Sequence, residues 1–161
     1  MPCVVTPVDS GGSIVGGPAQ ASPCDGQPVW SIELQTPAST VVIPVIRVVA
    51  ADLAARADFE VDSVDDLRMA VDDACAMLVR IAARGAPLGC RFTVGPDRIE
   101  VVAEVDVEHG APPLPTGSFG WRVLECLAEE VTACALPAQP PQRGRVQITL
   151  GKHATTAPPW D

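Results

Sequence analysis

The sequence predicts an α+β fold of two layers, a mixed and mostly antiparallel sheet covered on one face by helices. Three observations carry that expectation. Short runs alternate apolar and polar residues, as half-buried strands do. Longer runs repeat apolar residues every three or four positions, and one of these stripes is broad enough to pack onto a sheet. The elements follow as strand, helix, helix, strand, strand, helix, strand, strand, with hairpins and segregated helices. At 161 residues and 47% hydrophobic content, the chain has the material for one domain with a sizeable core.

Residues 1–28 are rich in Gly, Pro, Ser and Ala without apolar period, and read as a disordered tail. The domain is expected over 29–151. Val29 to Leu34 alternates as a strand. Ser39 to Phe59 begins β-branched, which favours strand, but Ile46, Val49 and Leu53 are spaced as on a helix. A helix with Pro44 in its first turn accommodates both. Ser63-x-x-Asp66 looks like a capping box, opening a helix that runs to about Ala83 and stops near Gly85 and Pro87. Cys90 to Val94 and Ile99 to Val105 form a hairpin around Gly95-Pro96-Asp97-Arg98. Residues 107–117 are a Gly/Pro loop, and Ser118 to Glu130 is a helix. A strand begins at Val131, a loop covers Cys134 to Arg143, and Val146 to Leu150 is the last strand. From Lys152 the composition turns to Pro, Thr and Ala, and residues 152–161 are expected to be a loose tail.

A formal net charge of -9 argues against direct nucleic-acid binding and suits a partner with a basic surface. The start of the chain has no secretory pattern. The most apolar run, Val41 to Val49, is interrupted by Pro44 and Arg47 and is too short for a bilayer. A cytoplasmic protein without membrane contact is expected. Six cysteines without a C-x-x-C pair, and two histidines, give no metal-site pattern. Buried reduced thiols are the simplest reading, with a redox switch at Cys3 or Cys24 the alternative.

Two segments point to a family. One is Leu67-Arg68-Met69-Ala70-Val71-Asp72-Asp73-Ala74-Cys75, a helix with an acid set into its apolar face. The other is Gly117-Ser118-Phe119-Gly120-Trp121-Arg122-Val123-Leu124, which opens the third helix. With the order of elements over 29–151, they resemble RsbW-like anti-sigma factors and serine kinases of the GHKL (histidine-kinase-like ATPase) superfamily, in their actinobacterial form. That resemblance implies the GHKL-type sandwich, ATP and Mg²⁺ as cofactors, and a homodimer. It implies a sigma factor and an anti-anti-sigma protein of STAS type as partners. It places Asp73 as general base, Asp106 as the acceptor of an adenine hydrogen bond, and Gly117, Ser118 and Gly120 beside the phosphates.

The residues also depart from the pattern. The family's magnesium-binding Asn falls on Met77, and a hard cation gains little from a thioether. Either catalysis is lost or magnesium is held differently. The Asp-x-Gly-x-Gly motif is reduced to Asp106-Val107-Glu108-His109-Gly110, and Ser118 replaces the earlier glycine of the phosphate loop. Taken alone, Asp73 reads equally as a solvated helix acid, Asp106 as a turn former and Gly117 to Gly120 as a structural turn. A sigma-sequestering regulator is the leading expectation. An active ATP-dependent serine kinase is the alternative, and a ligand-binding α+β domain is the third.

Overall fold

The computed structural model describes residues 29–155. The tail expected over 1–28, with Cys3 and Cys24, and residues 156–161 lie outside that range. Five strands form one sheet: β1 (Trp30–Pro37), β2 (Pro87–Val94), β3 (Arg98–Val107), β4 (Glu130–Leu136) and β5 (Gly144–His153). Their order across the sheet is β1-β2-β3-β5-β4, and every neighbouring pair is antiparallel. Three helices accompany it: α1 (Ile43–Arg56), α2 (Val61–Ile81) and α3 (Phe119–Leu127). This is the two-layer α+β arrangement expected, and it is consistent with a GHKL-type sandwich.

Alternation along β3 explains the layering. Ile99, Val101, Ala103, Val105 and Val107 are buried, while Glu100, Glu104 and Asp106 face the other way. Cross-strand pairs Val101–Leu150 and Ala103–Ile148 continue the apolar face onto β5. Against it lie Leu67, Ala70, Val71, Ala74, Cys75 and Leu78 of α2, all closed to solvent, and beside them Ile46, Ala50 and Leu53 of α1. Each large side chain so buried contributes roughly 1.5–3 kcal/mol.

The helix boundaries differ from the sequence reading in instructive ways. Pro44 sits in the first turn of α1, as expected. In α2, Ser63 is not the cap: the helix starts two residues earlier, at Val61, with Glu60 at the N-cap. Asp66, assigned to the capping box, instead meets Lys152 (3.1 Å). Asp62 supplies negative charge to the first turn. The turn between α1 and α2 passes through Asp58 at φ 59°, a left-handed conformation that Asp tolerates better than most residues. Helix α3 ends at Leu127 because Ala128 turns extended to feed β4. Strand β4 then runs to Leu136, through part of the expected loop. Its Ala and Cys residues have weak strand preference, but the ladder to β5 supplies their backbone partners.

The last correction concerns Lys152. Strand β5 extends to His153, and Lys152 is 7% exposed rather than part of a loose tail. Its ammonium reaches Asp66 of α2, Glu129 (3.2 Å) and the Leu127 carbonyl (3.1 Å). Burial alone would lower its pKa, but these partners hold it above the ordinary lysine value. Among the described residues no helix is long and apolar enough to cross a membrane.

Candidate functional site

Helix α2 carries the candidate site along one row. Met69, Asp73 and Met77 are spaced at i, i+4 and i+8 and so rise over one side of the helix. Asp73 lines a hollow of ≈ 270 Å³ with Arg47 of α1 and Arg68, Met69 and Asp72 of α2. Partial burial, with the Asp72 charge adding to it, pushes the Asp73 carboxyl above its usual value. The nearby guanidiniums are directed elsewhere, Arg47 to Asp72 (3.3 Å) and Arg68 to Asp65 (3.0 Å). Asp73 is therefore half-exposed at the α1 flank, in reach of solvent or a partner.

One turn further, Met77 faces α3. That helix runs antiparallel to α2, since its end at Leu127 meets Lys152 beside Asp66 while its start at Gly120 meets Met77. A β-carbon built on Gly120 would lie 2.8 Å from the Met77 methyl. Any larger residue there would have to push the flexible end of Met77 aside. Ser118 is the N-cap of α3, its Oγ accepting from the Trp121 N–H (3.2 Å). Trp121 is buried and donates its ring N–H to Glu125 (3.1 Å). Gly117 is exposed and has open space around it, so crowding does not demand a glycine there.

The structure therefore sets Gly120, with the Ser118 cap, against Met77, while Asp73 lies one turn earlier on α2 in its own hollow. It does not bring Asp106 to them. Asp106 lies on the sheet face turned away from the helices, where its carboxylate accepts from Arg145 across the ladder (3.2 Å). Its backbone carbonyl accepts from Ala83, beyond the end of α2, whereas Asp73 stands about 12 Å up the helix from Ile81. The two acids line separate hollows.

These residues fit a magnesium nucleotide poorly. Asp73 is a single carboxylate between two thioethers, where Mg²⁺ asks for several oxygens. No Lys or Arg lies between Val107 and Trp121 to balance a triphosphate. Among the described residues no group of three His, Cys, Asp or Glu is placed to hold a metal. The sequence reading missed three partners at this site: Arg47, the Met77–Gly120 contact and the Lys152 cluster. Only the last left a trace, because Lys152 is the sole lysine in the chain. Cys75 and Cys90 also meet, sulfur to sulfur at 3.9 Å in the core, where their mutual contact and burial push the Cys75 thiol well above its usual value.

No family model matches the chain. Individual relatives do. It is 35% identical over 127 residues to the anti-sigma-F factor RsbW of Mycobacterium tuberculosis, covering 76% of this chain and 73% of that protein. It is 28% identical over 120 residues to the serine-protein kinase RsbW of Bacillus licheniformis, covering 62% of this chain and 75% of that protein. The serine-protein kinase RsbW of Bacillus subtilis is 27% identical over the same length and shares.

Proposed function

The chain belongs to the RsbW family of anti-sigma factors, and we propose that it sequesters an alternative sigma factor of stress-response type in the cytoplasm by direct protein contact. An anti-anti-sigma protein would counter it by competing for the same surface. The observation that carries this reading is the 35% identity to the mycobacterial anti-sigma factor across most of both chains.

The surface supports it. Val41, just before α1, and Val45 and Val48 on it are 80%, 61% and 61% exposed. These side chains are excess apolar area for a lone domain and suit a partner helix or sheet. The same helix supplies Arg47 to the Asp73 hollow. Six acids lie from Glu60 to Asp73, just before α2 and along it, of which Asp65, Asp66 and Asp72 have internal cations. Glu60, Asp62 and Asp73 remain to attract a basic partner. The kinase alternative has less support, because Asp106 lies apart from Asp73 and Met77 stands where an oxygen ligand belongs.

The test is binding of the full chain to individually purified alternative sigma factors from its source. One of them should bind, with an association rate that falls markedly between about 0.05 and 0.5 M salt, as the Debye length shortens from roughly 14 to 4 Å. Val45→Asp with Val48→Asp should weaken that complex at least tenfold while leaving the melting temperature unchanged. Binding to none of the sigma factors would reject the assignment.

A further inference from the structure

We infer that the joint between α2 and α3, where relatives of this fold would hold a nucleotide, is closed by the chain's own Met77, so that partner exchange proceeds without ATP. The inference rests on the anti-sigma reading for its consequence, but the plug itself stands on separate observations.

A phosphate binds a helix start by approaching backbone N–H groups to hydrogen-bond distance, and glycine is useful there because it bares the backbone. In α3 the bared side of Gly120 is already covered. The Met77 methyl occupies the space that a Cβ would need, at 2.8 Å. The Trp121 N–H is committed to Ser118 Oγ and the Arg122 N–H to the Ser118 carbonyl (3.2 Å), so the first turn of α3 keeps fewer free donors for an anion. The loop from Val107 to Gly117 adds Glu108 and no Lys or Arg, and its acid is paired with Arg143 (3.1 Å). The carboxylate expected to read adenine, Asp106, is across the sheet and paired with Arg145. Each feature that a nucleotide would need is either filled by an apolar atom, bonded internally or turned away. Gly120 keeps the motif's glycine, but its open side is occupied by the Met77 methyl.

A chain that binds no ATP cannot leave a phosphate on its antagonist. Release and recapture of the sigma factor would then follow mass action alone, set by the concentrations and affinities of two competitors for one surface. Recapture would begin only when the antagonist declines, with no covalent mark to reset.

The experiment compares melting of the full chain with and without 1 mM Mg-ATP, and pairs it with a double-mutant cycle of Gly120→Ala and Met77→Ala. The wild-type melting temperature is expected to move by less than about 1 °C, whereas a ligand at a hundredfold its Kd would shift it by several degrees. Gly120→Ala should be measurably better tolerated in the Met77→Ala background than in the wild type, because no methionine end then has to move aside. Affinity for the sigma factor should be the same within twofold with and without Mg-ATP. A shift of several degrees by Mg-ATP overturns the plug, and so does strict additivity of the two substitutions. Neither melting result depends on a sigma factor, so a failure of the anti-sigma reading would show separately, as absent binding.

Discussion

The flank of α2 that faces α1 ends in an open hollow lined by Arg47, Arg68, Asp72 and Asp73, whereas the flank that faces α3 ends with a thioether seated on Gly120. Asp73 and Met77, which mark them, sit one turn apart on the same helix. The open flank keeps charge and solvent access, and the helix beside it carries exposed valines. The closed flank is packed as core, with Trp121 and Leu124 of α3 buried behind it. A side chain at a ligand site either stays available or contributes to packing, and here the two outcomes are divided between Asp73 and Met77. The side chain at the open flank keeps its solvent access, and the one at the closed flank contributes to packing.

On that division, truncation on the closed flank should be costly and truncation on the open flank cheap. Trp121→Ala removes a buried ring and its bond to Glu125, and should destabilise the domain by about 3 kcal/mol or more. Urea denaturation measures it directly. A smaller loss than at the open flank would reverse the comparison.

Lys152 tests how firmly α3 is held against α2. Its replacement by Met leaves Asp66 and Glu129 facing each other without a cation. Breaking a buried pair can cost 3–5 kcal/mol, but both carboxylates are partly exposed, so about 2 kcal/mol is expected. The cluster also has a pH signature. Burial raises the Glu129 carboxyl, but the His153 N–H and Lys152 outweigh it and hold its pKa below the usual value. A depressed acid stabilises the fold above the ordinary glutamate range and loses that contribution as pH falls through and below it. The raised Lys152 contributes fully below the ordinary lysine range and loses its share as pH rises past it. Acid titration of the melting temperature should therefore be steeper in the wild type than in Lys152→Met. Equal slopes would show that the cluster is not what ties α3 down.

The smallest stability effect belongs to Arg47→Ala. Its pair with Asp72 is 3.3 Å long, with both side chains more than a third exposed, and such pairs contribute about 0.2–1 kcal/mol. A loss well above 1 kcal/mol would mean that the hollow is structural and that the open flank is not free for a partner.

The layers were legible in the sequence because the alternation of β3 and the stripe of α2 each report one buried face. The residues of the candidate site were legible as a motif but not as a geometry. Asp106 continues the even-numbered, outward positions of β3, so its direction was implicit in Val105 and Val107 on either side. The motif reading passed over that parity. Ser63 and Asp66 satisfy a capping pattern locally, yet a lysine 86 residues away claims Asp66. Nothing within a few residues of Asp66 could announce it. The Met77–Gly120 contact is hidden for the same reason: both residues are ordinary where they stand, and only the antiparallel run of α2 and α3 joins them.

Among the described residues strand β5 comes last of the strands, yet it lies inside the sheet, with β3 on one side and β4 on the other. A fragment stopping before Gly144 would lose more than one strand. It would leave β3 with an open row of N–H and C=O groups flanked by Val101, Val105 and Val107, and β4 with no partner at all. Exposed apolar edges of that kind pair with one another between molecules. A proteolytic cut or a premature stop in the loop from Pro137 to Arg143 should therefore give insoluble material rather than a weakened regulator, making the domain all-or-nothing in the cell.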